Sequence, residues 1–417
     1  MSEVLSCFDP AANPGGMLAV DESIQHILAQ INDPVATEEV ALASSIGCVL
    51  STDLVSDINV PQQRNSAMDG YAVAADGLDP SSPLTVVGQV FAGGSFQNTI
   101  TQGEAVEIMT GAPVPEGADS ILIREACTQQ GDQLSFIGPV KKGQHVRQAG
   151  EDIQQGQVVL PAGTLLRSQE LGLLASLGYE KLNVFVKPTV AVFSTGDEVV
   201  AQGSPLPDNC IYDTNRFTLQ GLLTRLGCRV IDLGIVEDTQ DKMEEVLRKG
   251  AESADMVISS GGVSMGKADY IKSALEAIGD INFWKIAMRP GRPLAFGQLG
   301  KTPFFGLPGN PVAVMVTFTQ FVQPALRKMM GQKGWQPLRM VAVAEERLKS
   351  RSNRTDYSRG VYRINETGQL VVSSTGMQGS GILTSMSKAN CFIEIGNEFD
   401  KVEEGETVTI QPFSDLI

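Results

Sequence analysis

The sequence predicts a multidomain chain of α/β plus β class. Its expected parts are a central doubly wound α/β domain, a small β-domain before it, and a compact β-barrel or sandwich at the C-terminal end. Three observations carry that expectation. From about Lys187 onward, apolar strand runs alternate with helical stretches, the rhythm of βαβ units. Residues 83–137, and the chain beyond Gly331, instead show short β-rich runs separated by glycine turns. A length of 417 residues also exceeds what one hydrophobic core usually organises.

Taken in order, residues 17–31 (MLAVDESIQHILAQI) place Leu18, Ile24, Ile27, Leu28 and Ile31 near helical spacing, which predicts an amphipathic helix. A second short helix is expected from Val40 to Ile46. VPQQRNSAMDGYAV, from Val60, is rich in turn formers and too polar for a core strand. PLTVVGQVFAGG, EAVEIMTGAPVPEGADSILI and DQLSFIG read as the strands of the small β-domain. SQELGLLASLG reads as a helix with Ser168 as N-cap and Gly178 as stop.

TVAVFSTGDE then reads as a buried strand, TNRFTLQGLLTRLG as a helix, CRVIDLGIVED as a strand and DKMEEVLRKGAESA as a helix. DMVISSGG is a strand, YIKSALEAIG a helix and VAVMVTFTQFVQPALRKM a further helix. The alternation predicts a parallel sheet, and such sheets take ligands at the carboxyl ends of their strands.

Composition narrows the function. Net charge is −16 and there is no long Lys/Arg cluster, so nucleic acid is not an expected partner, and no uncharged apolar run of about 18 residues offers a membrane span. Six scattered cysteines without a CxxC argue against a thiolate zinc site. Two histidines leave little room for a His-rich metal centre or a Ser-His-Asp triad. A metal, if used, is expected to be hard and carboxylate-bound, magnesium or similar. The opening MSEVLSCFDPAANPGG lacks the basic and apolar segments of a signal peptide, and a cytoplasmic protein is expected.

The strand-end loops carry the chemistry. FSTGDE gives Ser194, Thr195, Gly196, Asp197 and Glu198, and IVED gives Asp238. SSGGVSMGKAD gives Ser259, Ser260, Gly261, Gly262, Ser264 and Asp269, and GLPGNP gives Pro308, Gly309 and Asn310. In a doubly wound sheet these loops share one rim. Their backbone N–H groups and hydroxyls suit phosphate oxygens, whereas the carboxylates would repel those oxygens unless a divalent cation lay between. Neither GxGxxG nor GxxxxGK[ST] occurs, which excludes the usual dinucleotide and P-loop sites.

WKIAMRPGRP brings Lys285, Arg289 and Arg292 to a strand and the turn after it. Alternation along an extended chain would set Lys285 and Arg289 on one side. Cations gathered in so acidic a chain suggest an anion pocket. RNSAMDGYAV contributes Asp69, expected as a carboxylate delivered from another domain or subunit, and MTGAPVPEGAD contributes Thr110 in a proline-braced turn.

Eight ordered blocks resemble one family. NSAMDGYAV, MTGAPVPEGAD, GEDI, FSTGDE, IYDTNR, ISSGGVSMGKADY, PGRPLAFG and GLPGNPV are similar to the molybdopterin molybdenumtransferases, the group of MoeA and the gephyrin E-domain. The resemblance spans nearly the whole chain from Val20. It implies ligation of molybdate to adenylylated molybdopterin with release of AMP, a divalent ion such as Mg2+, and a homodimer. It also implies four domains: a split N-terminal domain (1–55 and 148–183), an inserted β-domain (56–147), an α/β molybdopterin-binding domain (184–331) and a C-terminal β-barrel (332–417). A molybdopterin adenylyltransferase and other proteins of the cofactor pathway are possible partners.

By motif, the resemblance assigns catalytic roles to Asp69, Asp238, Asp269, Lys285 and Arg289, and metal binding to Glu198, Asp238 and Asp269. It assigns substrate binding to Thr110, Ser194, Thr195, Gly196, Glu198, Gly261, Gly262, Ser264, Arg292, Pro308, Gly309 and Asn310, and to Arg354 and Ser380 from the C-terminal domain. Members of the family often read Lys-Pro-Gly-Lys-Pro where this chain has RPGRP, so planar forks replace point charges here. Lys267 stands where several relatives have an acid.

Overall fold

The computed structural model describes residues 16–34, 36–261 and 279–413. Gly262, Ser264, Lys267 and Asp269 lie outside them, as does the helix expected at YIKSALEAIG. The described chain forms two compact units. The larger draws on Met1–Ser51, Gly163–Leu171 and Lys181–Ile417, and the smaller on Thr52–Ala162 and Gly172–Glu180.

The larger unit begins with helix α1 (Val20–Gln30), whose apolar Val20 and Ile27 are buried as the periodicity predicts. The helix expected at Val40–Ile46 does not form. Thr37–Ala41 is instead strand β1, paired antiparallel with Lys181–Phe185, and only Leu42–Ser44 makes a 3-10 turn. Pairing with a distant segment here overrides a local pattern too short to hold a helix alone.

In the smaller unit, β2 (Gly70–Val73), β3 (Leu84–Val90), β4 (Glu104–Ile108), β5 (Ser120–Ile123), β6 (Cys127–Gln130) and β7 (Gln133–Phe136) form one six-stranded sheet in the order β5-β2-β4-β3-β7-β6. Tyr71 and Val73 enter one apolar cluster of this unit and Ala72 the other, the period of two of a strand covered on both faces. The turn-rich stretch that sequence reading kept out of the core therefore supplies a central strand.

The second six-stranded sheet lies in the larger unit. Its strands are β8 (Thr189–Thr195), β9 (Arg229–Val236), β10 (Met256–Ser260), β11 (Asp280–Lys285), β12 (Pro293–Leu299) and β13 (Thr302–Leu307), in the order β9-β8-β10-β13-β12-β11. The first four run parallel; β12 is antiparallel to β13 and to β11. The all-parallel expectation is thus corrected at one edge, where the two-residue link Gly300–Lys301 is too short for a crossover. Val190 and Val192 of β8 pack into a core shared with α2 (Asn215–Leu226), while Ala191 and Phe193 pack against α3 (Gln240–Ser253). Helices on both faces make the sheet doubly wound. Each such fully buried valine or phenylalanine contributes about 1.5–3 kcal/mol of burial free energy.

The helix expected over residues 312–329 is present but interrupted. Pro311–Thr317 and Gln323–Met329 flank a π turn at Phe318–Val322. Pro324 has no N–H to return to the preceding turn, and the wider π turn accommodates that loss.

Beyond it, β14 (Met340–Ala344), β15 (Thr355–Ile364), β16 (Leu370–Ser374), β17 (Cys391–Ile395) and β18 (Thr407–Pro412) pair in the ring β15-β16-β14-β18-β17, closed by β17 on β15. This is a closed barrel, which removes the free edges a sandwich would keep. The two-residue strand Met288–Arg289 pairs with β15. The Lys285–Arg289 segment is therefore not one strand. Lys285 ends a strand of the α/β sheet, and Arg289 belongs to the barrel's edge. No helix among the described residues is long and apolar enough to cross a membrane.

Candidate active site

Four neighbouring parallel strands end on one rim, so their following loops meet there as the topology requires. Those loops line a cavity of about 600 Å³. Ser194, Thr195, Gly196 and Glu198 enter it after β8, Asp238 after β9, Ser260 and Gly261 from the end of β10, and Gly309 and Asn310 after β13. Gly261 has φ +97°, and a Cβ there would lie 2.3 Å from the Thr195 carbonyl oxygen. A side chain at Gly309 would stand 3.9 Å from the Gly261 Cα. The requirement for bare backbone is therefore at Gly261, whereas Gly309 leaves room for ordinary contact.

The hydroxyls divide their work. Ser194 donates to the carboxylate of Asp213 at 3.1 Å, so its proton is directed into the protein rather than toward a ligand. Thr195 Oγ1 is buried and has no hydrogen-bond partner among the described residues. A buried hydroxyl without a partner is costly, and a ligand oxygen in the cavity would satisfy it. Asn215 donates to Ser260 Oγ at 2.8 Å and to the Gly309 carbonyl at 2.7 Å, tying two of the rim loops together. Asp213, almost fully buried, accepts from the Arg216 Nε at 2.9 Å, and Arg216 also pairs with Asp232. Those two carboxylates hold the Arg216 guanidinium's pKa above its ordinary value, the Asp232 hydrogen bond most strongly. Nothing local in IYDTNR marks Asp213 and Asn215 for a role; the fold shows that they brace the rim.

Glu198 and Asp238 face the same cavity. Two carboxylates beside hydroxyls and bare backbone are a donor set of hard oxygens, which fits Mg2+. Among the described residues no cluster of three or more His, Cys, Asp or Glu could hold a metal unaided, so a bound ion would also need oxygens from substrate, water or the segment that contains Asp269.

A second cavity of about 400 Å³ shares Gly309 and Asn310 with the first and adds Arg289, Gly291, Pro308, Gln378, Gly379 and Ser380. No acid lines it. Gly291 is required by packing: a Cβ there would sit 2.5 Å from Thr317 Cγ2. Of the three cations expected to converge on an anion pocket, Arg289 lines this cavity, beside Ser380. Lys285 lies opposite the lining residue Pro293 in the sheet register, but neither it nor Arg292 lines the cavity itself. None of the three forms an ion pair with a described acid. Arg354 does not reach either cavity; its guanidinium is engaged by Asp356, with Nε–Oδ1 at 2.8 Å and Nη2–Oδ2 at 3.2 Å. The nearby arginine that sequence reading passed over is Arg359, buried behind the Gln378–Ser380 wall.

In the smaller unit, Asp69 Oδ1 accepts from both the backbone N–H and the hydroxyl of Thr110, each at 2.7 Å. These two bonds, the backbone one first, with a lesser contribution from the charge of Arg124, hold the Asp69 carboxyl below the usual carboxylate range. Asp69 is therefore a poor proton acceptor, and the geometry suits an ionised, ligand-orienting carboxylate.

Family models match the chain in three consecutive pieces: MoeA N-terminal region (domain I and II) over residues 18–178, probable molybdopterin binding domain over 191–328, and MoeA C-terminal region (domain IV) over 341–413. A molybdopterin molybdenumtransferase of Haemophilus influenzae is 46% identical over 96% of this chain and all of that protein. One from a Nostoc species is 34% identical over 93% of this chain and 91% of its own length. The crystal structure of the molybdopterin biosynthesis moeA protein from Pyrococcus horikoshii OT3 superposes with a TM-score of 0.83 at 30% identity, covering 95% of this chain and all of that one. The mixed sheet with its rim of loops, the closed barrel and these full-length likenesses converge: this chain belongs to the molybdopterin molybdenumtransferase family of transferases.

Proposed function

We propose that this protein inserts molybdate into adenylylated molybdopterin, releasing AMP and yielding molybdenum cofactor. The observation that carries the reading is the pair of adjoining cavities, one rimmed by carboxylates, hydroxyls and bare backbone, the other by Arg289 with no acid. The first suits a phosphate-bearing pterin or nucleotide; the second suits an oxyanion.

In this reading Gly261, Gly309 and Thr195 receive phosphate oxygens, with Gly196, Pro308 and Asn310 shaping the cradle. Ser194 contributes through Asp213 by fixing the loop. Glu198 and Asp238, with Asp269, hold Mg2+, which when bound polarises the phosphoanhydride. Arg289 and Ser380 hold molybdate, and Lys285 and Arg292 add positive potential around it. The two dithiolene thiols give up their protons as their sulfurs replace two molybdate oxygens, which leave as hydroxide, and a water molecule hydrolyses the phosphoanhydride to free AMP from the pterin phosphate. Asp69, kept ionised by Thr110, orients charged groups at the reacting centre when supplied by a second subunit of a homodimer. The four-domain division given above, a cytoplasmic location and delivery of substrate by an adenylyltransferase belong to the same proposal. Arg354 has a structural place here, through Asp356.

The test supplies purified protein with adenylylated molybdopterin, molybdate and Mg2+, and follows AMP release together with reconstitution of a molybdenum-free apoenzyme. Molybdate-dependent AMP release with active apoenzyme supports the reading. Formation of adenylylated molybdopterin from ATP would assign the preceding reaction instead. Tight peptide binding without either activity would make the protein a scaffold.

A further inference from the structure

The edge strand β9 is irregular just before it reaches the first cavity. Asp232 pairs with Val192 of β8 and Gly234 with Phe193, so Leu233 is an extra residue. This is a β-bulge, a device of sheet edges and active-site margins that is rare between parallel strands. Its effect shows in the packing. Ile231 and Leu233, two apart, meet the apolar cluster beneath α3, and so does Val236, three further on. The bulge therefore shifts the alternation by one residue before the chain arrives at the rim. There Asp238 lines the cavity, while Glu237 does not.

The bulge is held from within and from outside. Gly234 takes φ +81°, a conformation that side-chain-bearing residues rarely adopt. Asp232 Oδ1 accepts from the Gly234 N–H at 2.9 Å, which closes the bulge on itself. Its Oδ2 accepts from two donors one turn apart on α2, Gln220 Nε2 at 2.8 Å and the Arg216 guanidinium. Arg216, with a side chain only 11% exposed, reaches on to Asp213, which in turn holds Ser194. One arginine thus links the bulge of β9 to the loop that follows β8.

The sheet itself needs no such device. A straight β9 would set Leu233 opposite Phe193 and would need no residue at positive φ. It would also carry every later residue one place toward the rim and put Glu237 where Asp238 stands. We propose that Arg216 and Asp232 are positioning residues for the metal: by clamping the bulge they bring Asp238, rather than Glu237, to the cavity that Glu198 also lines. The proposal rests on the reading of Glu198 and Asp238 as Mg2+ ligands.

The experiment titrates the full-length protein, with AMP present, with Mn2+ as a spectroscopic stand-in for Mg2+, and follows bound Mn2+ by EPR. The proteins compared are the unaltered chain, Asp238→Ala, Asp232→Ala, Asp232→Asn, Arg216→Lys and the double variant Asp232→Ala with Glu237→Asp. Asp232→Ala should weaken Mn2+ binding about tenfold or more, with AMP binding in the absence of metal unchanged. Asp232→Asn keeps an acceptor for the Gly234 N–H, and Arg216→Lys keeps the charge without the fork; both should fall between. Glu237→Asp should change nothing in the unaltered chain. In the Asp232→Ala chain it should restore most of the lost affinity, because the slipped strand then presents an aspartate at the rim. If Asp238→Ala loses Mn2+ while Asp232→Ala binds it as the unaltered chain does, the proposal fails and the metal reading stands. If Asp238→Ala binds Mn2+ undiminished, the metal reading fails and the proposal with it. Weakened binding that Glu237→Asp does not restore makes Asp232 a brace of the fold alone and overturns the proposal. Should Asp232→Ala not fold, Asp232→Asn decides, with and without Glu237→Asp: an unchanged Mn2+ affinity overturns the proposal.

Discussion

The two cavities differ more than their shared wall at Gly309 and Asn310 would suggest. The larger is rimmed by Glu198 and Asp238 and braced by Asp213, itself occupied by Ser194 and Arg216. The smaller presents Arg289, Ser380 and backbone, with Arg359 behind. In a chain of net charge −16, a second cavity with no acid among its described lining residues concentrates a local positive field against the global one. The contrast teaches that two anionic reactants can be held side by side if one is received through neutral donors and carboxylates able to bind a metal, and the other through uncompensated guanidiniums.

The largest effect that would break this comparison is charge reversal. Arg289→Glu should abolish molybdate-dependent AMP release by at least about a hundredfold, since an attraction becomes a repulsion at close range. Because Arg289 is exposed and pairs with no described acid, unfolding stability should move by no more than about 0.5 kcal/mol. Urea unfolding beside the activity assay checks both halves.

Next comes the brace of the larger cavity. Asp213→Ala leaves Arg216 without its buried partner and Ser194 without its acceptor. Loss of one member of a buried ion pair costs about 3–5 kcal/mol, discounted here because Arg216 keeps Asp232. Urea unfolding should show a clear loss, and AMP binding should weaken with it while molybdate binding by the folded fraction persists. Equal loss of both ligands would merge the cavities into one site.

Arg354 sharpens the distinction between a structural and a ligand-binding arginine. Arg354→Met should lower stability by about 2–4 kcal/mol, because Asp356 is left buried and unpaired. It should leave KM for molybdate within about twofold.

The smallest effect concerns Asp69. Its carboxyl titrates below the ordinary value, so whatever stability the Thr110 bonds add is fully present above that ordinary value and is lost as pH falls through the depressed one. Thr110→Val removes the hydroxyl donor and keeps the backbone N–H. The Asp69 carboxyl signal, followed by NMR, should then titrate at higher pH while remaining ionised at neutrality, with little change in activity. Asp69→Asn removes the charge itself and should lower turnover without loss of folding.

Much of this was legible in the sequence because it depends on local chemistry. The rim loops announced themselves as small residues and acids after apolar strands, and topology alone then brought Ser194, Asp238, Gly261 and Asn310 to one place. Arg289 was legible as a cation braced by prolines. What was not legible depends on pairing at a distance. Val40 reads as helical by spacing but pairs with Leu182, and Lys285 and Arg289 look like one strand but join different sheets. Between two arginines five residues apart on SNRTDYSRG, the sequence offers no way to know that Asp356 engages Arg354, while β15 turns Arg359 inward behind the cavity wall. Asp213 and Asn215 are ordinary turn residues until the fold sets them against Ser194 and Gly309.

The central claim is that the cavities are separate subsites. The most direct test titrates molybdate into the full-length protein with AMP and Mg2+ present at saturation, and repeats it with Arg289→Glu. The account predicts that AMP leaves molybdate binding intact, and that the variant loses molybdate while still binding AMP. Displacement of molybdate by AMP, or loss of both ligands in the variant, would contradict it.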